Sequence, residues 1–164
     1  MCAATTGIAA DTTVAVVGMS DYVRGLREKI GNDFLLVPSA HVAIRDESGR
    51  VLLVQHVEGR WQIPGGAIEP LEDPRAAAAR ECLEEMGVVV AVGDVLGVFG
   101  GDAYQTTYGN GDRIGFVPIL FAGEIVDGEL RPDNEETQSV EWFAPADVAT
   151  LEMSASTRTM LGAL

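Results

Sequence analysis

The chain has 164 residues, a length that suits one domain with a modest extension and is short for two. Apolar residues make up 47% and charged residues 22%, enough for a real core and unlike the composition of a disordered chain. With 11 basic and 25 acidic residues the net charge is −14, a field that repels a phosphate backbone and excludes a nucleic-acid polymer as partner; a small phosphate ligand stays open, because a divalent cation can bridge acid to phosphate.

Residues 1–18 are nearly uncharged and lack the basic start of a secretory signal. Met19-Ser20 opens a segment like an ordinary protein start, so 1–18 reads either as an over-called start or as a short arm. Within it Thr12-Thr13-Val14-Ala15-Val16-Val17 suits an edge strand, and such an arm would pack on a second subunit, giving a homodimer. No run approaches about 18 uninterrupted apolar residues, so no membrane span is expected. Two cysteines, Cys2 and Cys82, make no disulfide framework, which fits a reducing, cytoplasmic setting.

Residues 19–38 read as an N-terminal helix and lead-in, and 39–164 as the main domain. Asp21 to Gly31 is a short helix with Tyr22, Val23, Leu26 and Ile30 on one face, and Phe34–Val37 leads into Pro38. His41–Ile44 and Val51–Val54, separated by Asp46–Gly49, predict a hairpin. Trp61–Gly66 is a strand ending in a Gly-rich bend. Asp73 is the expected N-cap of a helix with Pro74 at its first position and Gly87 as its stop. Val88–Phe99 is a strand bent at Gly93-Asp94, and 100–112 is a loop rich in Gly, Tyr and Thr. Strands at Ile114–Ile125 and Gln138–Phe143 precede short helices at Pro145 and Ser154–Leu164. Strands dominate around one strong helix, the pattern of a layered α+β domain.

At about 100° per residue, Glu84 and Glu85 fall about −60° and +40° from Glu81. One face therefore carries three acids. The other is expected to pack Ala79, Cys82, Leu83 and Met86 on the sheet, with small Ala77 and Ala78 flanking the acids. Like charges at this spacing destabilise a helix by some tenths of a kcal/mol per pair, and they stand near the end where the dipole also disfavours anions. A solvated acidic surface is one explanation. A shared hard cation, Mg²⁺ or Mn²⁺, is the other.

Gly66, Glu72, Arg80-Glu81, Glu84-Glu85, Gly87 and Val88 decide between them. The segment resembles the Nudix box, G-x5-E-x7-R-E-U-x-E-E-x-G-U, with U a bulky aliphatic residue. Every fixed letter matches, and the single departure is Cys82 at the first U position, where a small buried hydrophobe still packs. The resemblance implies an α/β/α sandwich with a mixed sheet. It implies Mg²⁺- or Mn²⁺-dependent hydrolysis of a phosphoanhydride in a nucleoside diphosphate linked to another group, such as ADP-ribose, a nucleotide sugar, a dinucleoside polyphosphate or an oxidised nucleoside triphosphate. Glu81, Glu84 and Glu85 match the metal-binding acids, with Glu84 and Glu85 also in catalytic positions. Gly65 matches the position whose carbonyl completes the metal shell, and Arg80 and Glu72 the pair that steadies the loop–helix junction. Family members draw a further acid from a later loop ahead of a Trp-Phe strand; here Asp133–Glu136 precedes Trp142-Phe143, and Glu136 is the choice as metal ligand or general base.

Metal would neutralise the phosphate oxygens and acidify a bound water, a carboxylate would take its proton, and no Ser or Cys nucleophile is needed. His56 and Arg60 approach the Gly-rich bend and are candidates to touch phosphate; each also reads as an ordinary surface residue. Tyr104 and Tyr108 are candidates to stack a base, or simply loop packing. His41 is expected to be a satisfied sheet residue, and Trp61, Trp142 and Phe116 core. The small-molecule nucleotide is the expected partner. The rival reading is a Nudix-like sensor that binds a nucleotide without cleaving it.

Overall fold

The computed structural model describes residues 19–164. Cys2, the arm 1–18 and its expected edge strand lie outside the described residues. Strand β1, Leu35–Ile44, organises the larger sheet. It runs parallel to β7, Arg113–Gly128, from Leu35 opposite Ile114 to Ile44 opposite Gly123. On its other side it pairs antiparallel with the short β4, Gly65–Ala67. The far edge of β7 holds β5, Val88–Val98, and the small β6, Gln105–Thr107, both antiparallel. A second, three-stranded antiparallel sheet sets β2, Val51–His56, between β3, Trp61–Gln62, and β8, Thr137–Phe143.

The stretch expected as lead-in to Pro38 is the first half of β1. The expected hairpin does not form. Its turn does: Asp46 Oδ1 accepts from the backbone N–H of Ser48 and Arg50 at 3.0 and 2.9 Å. Beyond one bridge, Arg45 to Val51, the two strands part into different sheets. The reason lies in their two-sided burial. Val51–Val54 is buried at every position, as a strand covered on both faces must be, whereas an open hairpin would alternate.

Alternation along the strands instead sorts side chains into two cores. Val42, Ile44, Leu52, Val54 and Phe121 face helix α2, Pro74–Met86, with its Ala78, Cys82 and Met86. Ala43, Val51, Leu53 and Leu120 face Trp61, Ile63, Tyr104 and Met160 of helix α4, Ala155–Leu161. Helices thus cover the strands on both sides, an α/β/α sandwich of the α+β class. A third cluster, Val23, Val37 and Ile114, lies under helix α1, Asp21–Ile30. Arg27 secures that helix, donating to the carbonyls of Gly31, Asp33 and Arg113 at 3.2, 2.6 and 2.6 Å. Helix α3, Pro145–Val148, links β8 to α4. The loop 100–112 contains a 3-10 turn, Asp102–Tyr104, besides β6. The expected bend in β5 appears as a register shift between Val92 and Val95. No described helix is long and apolar enough to cross a membrane.

Helix α2 begins and ends where its caps dictate. Asp73 accepts from the N–H of Arg75 and Ala76 at 2.9 and 3.3 Å. Gly87 takes the left-handed conformation, φ 71°, and donates to the Leu83 carbonyl. Its faces differ from expectation. Leu83 is 53% exposed, while Glu85 is only 4% exposed. The buried arc runs from Ala77 through Ala78, Cys82 and Glu85 to Met86, about 180° wide, with Glu81 and Glu85 inside it rather than opposite and the exposed Glu84 just beyond its edge.

Candidate active site

One glycine makes room for one of the acids. β4 is the sheet edge beneath α2, and its Gly65 and Gly66 offer no side chains. A Cβ on Gly66 would stand 2.6 Å from the Glu81 carboxylate, and one on Gly65 2.2 Å from the Ala40 carbonyl oxygen. The Gly65 N–H donates to Glu85 Oε2 at 2.9 Å.

Glu81 and Glu84 share one cation. Arg80 Nη1 donates to Glu81 Oε1 at 2.8 Å and to Glu84 Oε2 at 2.9 Å. Its Nε and Nη2 clasp Glu72 at 2.9 and 3.0 Å, and Nη2 also reaches the Ala67 carbonyl. Glu72 Oε2 accepts in turn from the Glu69 N–H. This closes the loop onto the helix, with the Arg80 guanidinium holding Glu72 below its ordinary pKa. Burial pushes Glu81 up to about 7, with Arg80 opposing and the Glu85 and Glu84 charges adding.

Glu85 is the most enclosed acid. Burial raises its pKa, against the pull of His56 and the Gly65 N–H. His56 Nε2 stands 3.4 Å from Glu85 Oε1 and also meets the side-chain amide of Gln62. Burial draws His56 down, but Glu85, Glu136 and Glu58 outweigh it and the net shift is upward. Glu136, half-buried at the end of the Asp133 turn, is raised by burial and by Asp133, with His56 opposing. Its carboxylate is in none of the side-chain hydrogen bonds or ion pairs among the described residues.

These groups line a cavity of about 910 Å³ on the sheet face that carries Ser39, His41, Phe116 and Pro118. The structure brings Gly65, Glu81, Glu84, Glu85, Arg80, His56, Arg60, Glu136 and Tyr108 to its lining. Glu72 stands behind, touching it through Arg80. Tyr104 borders the cavity too, but its ring is in the core, 7% exposed and 5.9 Å from Phe99, so it offers no stacking face. Gln62, Ser39, His41 and Phe116 are among the lining residues that the sequence did not mark as site residues. Gln62 braces His56. Ser39 and His41 form the floor, where His41 Nδ1 lies 3.3 Å from the Ile63 carbonyl and Nε2 3.2 Å from Ser39 Oγ. Burial drives His41 down to about 4, so it is neutral there. Phe116 is only half-buried, at the α1 end. The alternation of β1 and β7 carried the signal for the floor residues, but no motif marks which face is hollow.

The NUDIX domain family model matches residues 35–163. The chain belongs to the NUDIX family. It is 30% identical over 106 residues to the nucleoside triphosphatase NudI of Escherichia coli, covering 63% of this chain and 74% of that one. It is 35% identical over 109 residues to diphosphoinositol polyphosphate phosphohydrolase 2 of Rattus norvegicus, covering 62% and 54%. A MutT NUDIX hydrolase from Burkholderia pseudomallei shares the fold with a TM-score of 0.66 and 27% identity, over 79% of this chain and 98% of that one. The chain spans less than two thirds of the length of several curated relatives, 65%, 66% and 54% in three cases.

The oxygen groups brought together here suit a hard cation. Glu81, Glu84, Glu85, Glu136 and the Gly65 carbonyl are all oxygen, the chemistry Mg²⁺ and Mn²⁺ prefer. The raised pKa of Glu81 comes first from burial, with the Glu85 and Glu84 charges adding to it. Among the described residues no three such side chains converge as a closed metal cluster, and Arg80 supplies the counter-charge to Glu81 and Glu84.

Proposed function

We propose that the chain hydrolyses a phosphoanhydride bond in a nucleoside diphosphate derivative, with Mg²⁺ or Mn²⁺ as cofactor. The observation that carries this reading is the row of Glu81, Glu84 and Glu85 on the lining of one cavity, with Gly66 leaving room for the Glu81 carboxylate. Glu81, Glu84, Glu85 and the Gly65 carbonyl would hold the ion, which when bound neutralises phosphate oxygens and acidifies water. Glu85 is committed to the Gly65 N–H and His56, and Glu84 to Arg80. Glu136 has uncommitted oxygens and a raised pKa, which suits it to take a proton from attacking water. Arg80 and Glu72 hold the loop against the helix so that the acids keep their positions. Arg60 and His56 stand where they would meet phosphate, and Tyr108 where it would meet the remainder of the substrate.

The relatives' names support nucleotides and diphosphoinositol polyphosphates as substrate classes. The reading also includes a cytoplasmic homodimer, which light scattering with and without residues 1–18 tests.

Incubation with Mg²⁺ and a panel of nucleoside diphosphate derivatives and triphosphates, followed by phosphate release, tests the activity. Cleavage abolished by EDTA is expected. Glu136→Gln should lower kcat about 100-fold with KM little changed. Metal and nucleotide binding without turnover would establish the sensor instead.

A further inference from the structure

We infer that Ser39 is an obligate hydrogen-bond acceptor in the cavity floor and selects a substrate whose nucleoside places an N–H or O–H donor over it. This rests on the hydrolase reading and adds a specificity residue to it. Proton positions follow along one short chain of contacts. The Ile63 carbonyl can only accept, so His41 Nδ1, 3.3 Å away, carries the ring proton. His41 is neutral, and it takes part in none of the ion pairs among the described residues, so no carboxylate holds a second proton on the ring. Its Nε2 is therefore a bare lone pair. Ser39 Oγ lies 3.2 Å from that nitrogen and donates to it. With its one proton spent, the Ser39 hydroxyl has only lone pairs left to offer.

The surroundings hold it in that state. Ser39 is 2% exposed, and what remains open of it lines the cavity. It stands on β1 between Ala67 of β4 and Pro118 of β7, whose side chains give its proton no other acceptor. His41 is seated opposite Gly65, where a Cβ would come 2.8 Å from Nδ1. Two residues along β1, about 7 Å, separate Ser39 from His41 and Gly65, and the same distance separates it from Val37 beside Phe116. Ser39 thus lies between the acidic end of the cavity and its aromatic end. Phosphate oxygens are acceptors and gain nothing from a hydroxyl without a free proton, so the group over Ser39 belongs to the nucleoside. A donor there satisfies the hydroxyl. An acceptor sets lone pair against lone pair where neither has water. A sugar hydroxyl and an N–H of the base share this chemistry.

The test is kcat/KM of the full chain with Mg²⁺ on matched nucleoside triphosphates that differ by one donor. ATP against its 2′-deoxy and 3′-deoxy forms reads the sugar hydroxyls. GTP against ITP, and ATP against purine riboside triphosphate, read the exocyclic amines, and 8-oxo-dGTP against dGTP reads a ring N–H. At least one pair should be split by about tenfold or more in favour of the donor. Ser39→Ala should shrink that split to within about twofold. His41→Phe should do the same, because it frees the Ser39 proton to turn toward the substrate. A merely structural role for the two residues would lower both members of a pair alike and keep the ratio. No split in the unaltered chain, a split against the donor, or a split that survives in folded Ser39→Ala overturns the inference and leaves the hydrolase intact. If no triphosphate is cleaved, the hydrolase reading falls, and calorimetry of the same pairs decides the inference: equal Kd values, or no binding, overturn it.

Discussion

Gly65 and Gly66 are adjacent but do different things. At Gly66 an added methyl meets the end of the flexible Glu81 side chain, which can swing away. At Gly65 it meets the fixed Ala40 carbonyl, at φ +139°. Gly66→Ala should therefore leave the thermal midpoint within about 2 °C and lower activity about tenfold by moving Glu81. Gly65→Ala should cost about 1–3 kcal/mol, which in a domain this size lowers the midpoint by several degrees. Equal midpoints for the two variants would contradict this division. His41 carries a pH signature. Its pKa falls from 6.5 to about 4 on folding, so the fold favours the neutral ring. That contribution is complete above pH 6.5 and is lost as pH falls from 6.5 toward 4, by at most about 3 kcal/mol. Urea unfolding of metal-free protein at pH 7 and pH 4.5 should give a smaller loss for His41→Gln, and identical losses would refute the assignment. The box residues were legible because their spacing is fixed along one helix. His41 was not, because burial by parts of the chain distant in sequence sets its state.

Helix α2 was legible in its boundaries and not in its orientation. Asp73, Pro74 and Gly87 act locally, through caps that need no neighbour. Which side faces inward is a tertiary matter. Apolar residues ordinarily mark the buried stripe, and here the Gly65 N–H and His56 hold Glu85 inside while Leu83 is left outside. Leu83→Lys should change stability by no more than about 0.5 kcal/mol, whereas Met86→Ala should cost about 2–5 kcal/mol. Comparable losses in urea unfolding would return Leu83 to the core. The separated β1 and β2 teach the same lesson. Their turn is read correctly from Asp46–Gly49, but pairing is decided by partners far along the chain, β7 and β8.

Across the whole molecule, acidity and architecture work together. The layered fold places three of the five oxygen groups proposed to hold a divalent cation, Glu81, Glu84 and Glu85, on one helix, and the other two, the Gly65 carbonyl and Glu136, on β4 and the turn before β8. An ion that binds this assembly and not the unfolded chain stabilises it, by about 2.7 kcal/mol at 100 times its Kd. Mg²⁺ should raise the thermal midpoint by several degrees, and Glu81→Gln together with Glu84→Gln should abolish the rise without unfolding the protein. A midpoint indifferent to Mg²⁺ and Mn²⁺ would count against a metal site here.

The sequence alone determined the α+β class, the caps and extent of α2, the acid spacing and the family resemblance, because each is a short-range pattern of residue types. Only the tertiary structure decided that Glu81 and Glu85 turn inward, that Tyr104 packs in the core while Phe116 borders the cavity, and that Arg80 is consumed by its own carboxylates. Those outcomes depend on which side chains share a space, and that is set by burial and long-range strand pairing rather than by neighbours in the chain.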